Sequence, residues 1–233
     1  MGVMPYGDVG QTERWSLRWA DEFDGKDPDG WRHLWHSQAG PSGHILSSRY
    51  PENLRVQDGC LKLLNRREAR GGQMWTSGNV WSKEQFLYGY FEARYRYAPA
   101  HGLNQSFWIM SLETYTGPKG SFEIDVNEGR YPNVVTTNYH IIDENGVHRW
   151  DNQFLRLDLD LSADFHVYGL YWDAHELRFY FDGQMIRRTI NYFAHTWAPV
   201  RLSSAVVPWA GPITDAIDGT SMDVDYVRVF AIE

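Results

Sequence analysis

Gly120-Ser121-Phe122-Glu123-Ile124-Asp125-Val126-Asn127-Glu128-Gly129 is the stretch on which the reading of this chain turns. Side chains on a β-strand alternate between faces. Glu123 and Asp125 therefore share one face, while Ile124 and Val126 point the other way, into a core. Strict alternation would turn Glu128 toward the core. One extra residue near Val126-Asn127, a β-bulge, returns it to the acidic face. Three carboxylates then line one side of one strand, where like charges repel and at least one pKa must rise. A retaining glycosidase needs a carboxyl pair roughly 5 to 5.5 Å apart. The outer Cα atoms of this stretch would be about 13 Å apart, a gap that two glutamates leaning toward Asp125 can close. The spacing admits the wider inverting geometry as well. An exposed acidic edge strand that blocks aggregation fits the same pattern, and the stretch alone does not choose between these readings.

Working outward, alternating segments dominate. Leu61 to Leu64, Tyr88 to Tyr97, Ser106 to Met110, Phe122 to Val126, Val134 to His140, His166 to Trp172, Leu177 to Phe181 and Met222 to Phe230 read as strands. Asp182-Gly183, between Leu177–Phe181 and Gln184–Arg188, is a two-residue hairpin signal. No window gives a long amphipathic helix. Short strands punctuated by Gly, Pro and Asn predict an all-β sandwich. No linker, repeat or low-complexity segment interrupts it. The expected organisation is a short N-terminal extension over residues 1–15 and a single domain over 16–233.

Composition narrows the function classes. The chain has 233 residues, enough for one large β domain with a sizeable core. Aromatic residues make up 15%, with 11 Trp and 14 Tyr, and such rings suit both strands and flat sugar faces. A net charge of −8 without a basic stripe argues against nucleic acid and anionic membranes. It also favours a neutral polymer over a densely sulfated one, unless Arg49, Arg70 or Arg130 lies in the binding cleft. The one cysteine, Cys60, excludes an internal disulfide and reads as a small buried apolar residue. No stretch approaches the ~20 apolar residues of a membrane-spanning helix, and Met1 to Gly10 carries no apolar signal region.

The central stretch closely resembles the active-site signature of glycoside hydrolase family 16, Glu-x-Asp-x-x-Glu, in its bulged form. Further blocks resemble that family in the family's order: Ala20-Asp21-Glu22-Phe23-Asp24-Gly25, Pro51 to Leu61, Trp75-Thr76-Ser77-Gly78-Asn79-Val80, Tyr88 to Arg94, Asp164 to Trp172 and Met222 to Val229. The resemblance implies a concanavalin-like jelly-roll sandwich of two curved antiparallel sheets with substrate in a concave cleft. It implies Glu123 as nucleophile, Glu128 as general acid/base and Asp125 as the residue that holds the nucleophile and tunes both. It further implies that Trp75, Asn79, Trp108 and His140 line the cleft, and that a structural calcium is held by Glu22, the Gly59 carbonyl and Asp225. No cofactor for catalysis is implied. The expected partner is a polysaccharide and the expected state a monomer. The expected location is secreted, periplasmic or cell-surface, with any signal peptide absent from the sequence.

Substrate is read from Leu103-Asn104-Gln105-Ser106-Phe107-Trp108-Ile109-Met110-Ser111. Family members that cut β-1,3-glucans tend to read Trp-Pro-Ala-Phe-Trp there. This stretch looks more like members that act on red-algal galactans such as agarose or porphyran, and Gln105-Ser106 is expected to offer polar groups to sugar hydroxyls. An endo-β-1,3-glucanase (laminarinase) is the alternative, and a transglycosylase would differ only in the acceptor. A non-catalytic carbohydrate-binding sandwich has no reason to keep three clustered carboxylates.

Overall fold

The computed structural model describes residues 3–7, 9, 14–112 and 121–233. Gly120, which opens the central stretch, and residues 1, 2, 8 and 10–13 of the extension lie outside the described residues. In chain order the strands are β1 (Trp15–Asp21), β2 (Trp35–Ser37), β3 (Ser47–Arg49), β4 (Leu54–Gln57), β5 (Cys60–Leu64), β6 (Trp75–Ser77), β7 (Asn79–Ser82), β8 (Gly89–Arg96), β9 (Leu103–Met110), β10 (Ser121–Gly129), β11 (Val134–Ile142), β12 (His148–Arg156), β13 (His166–Trp172), β14 (Glu176–Phe181), β15 (Gln184–Ile190), β16 (Val200–Val206) and β17 (Ser221–Ile232). Among the described residues the only helical elements are short 3-10 turns, as the missing helical periodicity predicts.

Two antiparallel sheets form a jelly-roll sandwich. The cleft sheet runs β12-β11-β10-β9-β16-β7-β2, and the outer sheet runs β15-β14-β13-β8-β17-β5-β4 with β1 also paired to β17. A small parallel pair, β3 and β6, stands apart. β10, which carries the acidic stretch, is central in its sheet rather than at an edge, so it is not an aggregation guard.

The core lies between the sheets and follows the alternation. Ile124 and Val126 of β10 and Phe107 and Ile109 of β9 meet Phe91 of β8, Leu170 and Trp172 of β13 and Phe179 of β14. Each such side chain contributes about 1.5–3 kcal/mol by leaving water. Cys60 is buried and free. At the back of the outer sheet, Val9 joins Trp15, Tyr90 and Phe230 in a second cluster, and the Tyr6 N–H donates to the buried Glu92 carboxylate at 2.9 Å.

The alternation did not announce the short strands β1 to β4, β6 and β7, nor the longer β12 and β16. β12 is exposed along nearly its whole length, so it has no apolar face to show a period. In β16, Ser203 and Ser204 sit among the buried residues and interrupt the apolar pattern.

Candidate active site

The geometry of the site begins with a register shift. Against β9, Asp125 pairs with Trp108 and Asn127 with Phe107, so Val126 is the extra residue of a bulge. Val126 and Asn127 both turn inward, buried at 1% and 0% exposure, and Glu128 returns to the face of Glu123 and Asp125. Asn127 fills the bulge from below. Its Nδ2 donates to the hydroxyls of Tyr95 and Tyr97, each at 2.7 Å, and its Oδ1 accepts the Thr136 N–H at 3.2 Å. That side chain therefore takes a β11 amide where the ladder between β10 and β11 has ended, since the register runs from Ser121 to Asp125. Gly129 closes the feature, because a Cβ there would sit 2.3 Å from the buried Tyr97 ring.

Glu123, Asp125 and Glu128 line one cleft together with Asn104, Ser106, Trp108, His140, His148, Ser203 and Arg49. Burial raises the pKa of Asp125 well above the carboxylate range, helped by the charges of Glu123 and Glu128. Burial also pushes Glu123 up to about 7, while a hydrogen bond from Asp125 and the charges of Arg201 and Arg49 pull it down. Two carboxyl groups can share a hydrogen bond only if one holds a proton. The more deeply buried Asp125 is the one that keeps it, which leaves Glu123 as the anion. Glu128 is held differently. Its two oxygens accept from Asn104 Nδ2 at 3.0 Å and Asn138 Nδ2 at 3.3 Å.

Asn138 also reaches His140 Nε2 at 2.8 Å, and His140 Nδ1 lies 2.9 Å from His148 Nε2. Because an amide nitrogen can only donate, His140 Nε2 accepts and its proton sits on Nδ1. Burial and the neighbouring His148 lower the His140 pKa, in keeping with a neutral ring. His140 Nε2 stands 3.6 Å from Asp125. Trp108 lies half-buried in the floor, anchored by its Nε1–H to Ser203 Oγ at 3.2 Å.

Other expected positions lie elsewhere. Trp75 is buried in a satellite core with Ala98, Leu103 and Ile217 and does not line the cleft. Trp75 opens β6, which pairs with β3 outside both sheets. Asn79 is buried and accepts the Gln38 N–H at 3.2 Å, a structural bond outside the cleft lining. Gln105 faces the core and bonds the backbone of Ala98, so it meets no sugar; Ser106, its neighbour, does line the cleft. Arg49 does lie in the cleft, whereas Arg70 pairs with Glu52 at 3.0 Å and Arg130 stacks between Phe154 and Trp209.

Of the residues expected to hold calcium, the two carboxylates are each held by an arginine. Glu22 is engaged by Arg228 through two contacts of 2.8 Å, and Asp225 by Arg94 at 2.6 Å. Each carboxylate already has a guanidinium counter-ion, and Gly59 serves the Asp58-Gly59 turn between β4 and β5 with φ at +71°. Among the described residues Glu123, Asp125 and His140 are the one group of three ligating side chains close enough for a common ion.

Residues around the site that the sequence reading passed over are Asn104 and Asn138, which hold Glu128, Asn127 beneath the bulge, and Arg201, whose charge acts on Glu123. A signal existed for Asn127, a polar residue at the core-facing place of a bulged strand. None existed for Arg201, whose strand was not recognised.

Comparison with known proteins gives concordant matches. The sequence model of the family described as Glycosyl hydrolases family 16 matches residues 46–228. A kappa-carrageenase of Pseudoalteromonas carrageenovora is 27% identical over 97% of this chain and 66% of that protein. Beta-porphyranase B of Phocaeicola plebeius is 28% identical over 92% of this chain and 83% of that protein. The crystal structure of a kappa-carrageenase from Zobellia galactanivorans superimposes with a TM-score of 0.84 at 26% identity, covering 99% of this chain and all of that one. The chain spans about two thirds of the Pseudoalteromonas carrageenase and 45% of a beta-glucanase of Acetivibrio thermocellus that it also matches.

Proposed function

Since this chain belongs to glycosyl hydrolases family 16, we propose that it is an endo-acting, retaining glycoside hydrolase of a β-linked red-algal galactan. The observation that carries the reading is the bulge at Val126, which returns Glu128 to the cleft face of the strand that holds Glu123 and Asp125. Glu123, the ionised member of the buried pair, attacks the anomeric carbon from below. Glu128 gives its proton to the departing glycosidic oxygen, and a glycosyl ester forms on Glu123. Glu128, now a carboxylate between Asn104 and Asn138, takes a proton from water, which attacks the same carbon and releases the sugar with its original configuration. Asp125 holds Glu123 in place by its shared proton and touches the reacting atoms through it alone.

The choice of a galactan is supported by the likeness to a carrageenase and a porphyranase over nearly the whole chain. An open cleft across a sheet admits the middle of a polymer, which supports endo cleavage. We place the enzyme outside the cytoplasm, where such a polymer is met, and as a monomer. Digestion of agarose, porphyran, carrageenan, laminarin and mixed-linkage glucan under one condition, with product sizing, tests this. Intermediate oligosaccharides from a galactan are expected. Fastest release from laminarin would replace the galactan by a β-1,3-glucan, and release of single sugars from chain ends would refute endo cleavage.

A further inference from the structure

Glu128 has to be an acid in the first half of the cycle and a base in the second, yet the two amides beside it are turned for the base alone. Asn104 Nδ2 and Asn138 Nδ2 donate to its oxygens at 3.0 Å and 3.3 Å, which suits a carboxylate. A protonated Glu128 has an O–H to give, and an amide nitrogen cannot accept it. The atoms that could accept it, Asn104 Oδ1 and Asn138 Oδ1, are buried and make no hydrogen bond among the described residues.

Other buried amides of this chain are fixed at both ends. Asn127 donates to Tyr95 and Tyr97 and accepts the Thr136 N–H. Asn191 donates to the carbonyls of Asp173 and Ala194 and accepts the Ala194 N–H. A half-turn of either amide would set donor against donor and acceptor against acceptor. Asn138, equally buried, is bonded through its nitrogen alone, to Glu128 Oε2 and to His140 Nε2. Both of those partners can gain or lose a proton, and nothing else fixes which way round the amide sits. His140 is set in turn by His148, which stacks on it at 5.1 Å between ring centres, its Nε2 2.9 Å from His140 Nδ1. His148 is exposed on β12, the edge strand of the cleft sheet. A further buried acceptor without a donor, Asp125 Oδ2, lies 3.6 Å from His140 Nε2.

We propose that Asn138 and His140 are positioning residues that switch with the protonation of Glu128, the amide presenting its nitrogen to the carboxylate and its oxygen to the acid. This role rests on the glycosidase reading given above and deepens it. With Glu128 ionised, Asn138 Nδ2 donates to Glu128 and to His140 Nε2, and His140 keeps its proton on Nδ1, toward His148. With Glu128 protonated, the amide makes a half-turn and its oxygen accepts the Glu128 O–H. That oxygen then faces His140 Nε2, which must carry a proton to donate to it, with Asp125 Oδ2 as a second acceptor nearby. Protons are conserved in the change. One enters His140 Nε2 from water in the cleft, the Nδ1 proton passes to His148 Nε2, and His148 Nδ1 releases one to solvent. Each ring holds one proton before and after, in keeping with the burial and the neighbouring His148 that hold His140 neutral. The two states differ by the single proton on Glu128, which leaves with the departing sugar oxygen and returns from the attacking water. The other charged groups that feel Glu128, namely Glu123, Asp125 and Arg130, are common to both states, and β9 contributes no ionisable side chain.

Nitrogen-15 NMR of His140 in the whole protein reads the state without substrate and without any variant, because protonated and bare ring nitrogens resonate far apart. The alkaline limb of kcat/KM reports the loss of the acid's proton. Across that limb the His140 proton should move from Nε2 to Nδ1, with the same midpoint as the limb itself. Asn138→Leu, close in size and without polar atoms, should leave the proton on one nitrogen over that range. It should also lower kcat about 10- to 100-fold, the loss expected for a hydrogen bond to a charged group. Asn138→Asp, an acceptor with no N–H, should hold the acid state and slow the half-reaction that needs Glu128 as base. The glycosyl ester should then accumulate, seen as one added oligosaccharide mass on the intact protein during turnover. A wild-type His140 proton that stays on one nitrogen across the limb would overturn the switch and leave the glycosidase reading standing. So would an Asn138→Leu variant with the wild-type kcat and the wild-type movement of the proton. A wild type that cuts no polysaccharide of the panel would sink the glycosidase reading itself, and with it the role given to both residues.

Discussion

Replacing Asn127 by alanine removes the plug under the bulge, and its cost can be worked from the contacts. Three hydrogen bonds are lost, two to tyrosine hydroxyls at 2.7 Å and one from the Thr136 amide at 3.2 Å. Tyr97 keeps a bond to the Val134 carbonyl, but among the described residues the Tyr95 hydroxyl has no other partner, and the Thr136 N–H loses its acceptor. Each stranded buried group costs about 1–3 kcal/mol. With the lost bonds, the total is about 3–5 kcal/mol. For a domain of this size each kcal/mol moves the melting temperature by about 2–4 °C, so thermal unfolding should shift down by about 10 °C. Turnover should fall at least tenfold at temperatures where the variant is fully folded, because the bulge sets the place of Glu128. Leu61→Ala, a fully buried position on the outer sheet, provides the matched control. It should lose about 2–5 kcal/mol through packing alone and keep its kcat. Differential scanning calorimetry and initial rates on the best substrate decide the matter. An Asn127→Ala variant that melts within about 2 °C of wild type, or that loses no more rate than Leu61→Ala, would refute the role given to the plug.

Glu123→Gln and Glu128→Gln should each lower kcat by several orders of magnitude with far-ultraviolet circular dichroism unchanged, since general acid–base help alone is worth about 10² to 10⁴; near-wild-type rates in either variant would remove it from the mechanism. Catalysis needs Glu123 ionised, and burial pushes its pKa up to about 7, so kcat/KM should fall as pH drops below about 7; a flat profile from pH 7 to 5 would contradict the ionised nucleophile. Glu92 is fully buried with its pKa raised by burial from 4.5 to about 7. The folded state then holds that proton more tightly than the unfolded one, so stability is gained as pH falls from about 7 toward 4.5, by about 3 kcal/mol from this group. Melting temperature should therefore be higher at pH 5 than at pH 8, and Glu92→Gln should shrink the difference; an unchanged pH dependence in that variant would exclude Glu92 as its source.

The acidic strand was legible because two signals coincide in it. Ile124 and Val126 announce the core face, and the surplus residue before Glu128 announces the bulge. The strands of the sandwich were legible where they are long and rich in apolar and aromatic residues, as in β8, β13 and β14, and not in the four-residue β4, whose buried face holds only Leu54 and Val56. What escaped depends on contacts between distant segments. Trp75 stands in a block that matches the family, yet which side of a short strand is covered is decided by its partner, and β3 lies outside both sheets. Gln105 and Ser106 look alike as polar residues, but alternation sends one to the backbone of Ala98 and the other to the cleft. Glu22 and Asp225 are two carboxylates in sequence; only the fold brings Arg228 and Arg94 onto them.

The double displacement through Glu123 is the claim on which the rest depends, and the anomer formed first tests it most directly. Proton NMR of a digest started in the spectrometer, on whichever polysaccharide the panel selects, follows the new reducing end before mutarotation mixes it. The account predicts that the β signal appears first and the α signal grows in later at the mutarotation rate. An α signal appearing first would contradict it, and would make Glu123 a base acting through water rather than the atom that bonds the sugar.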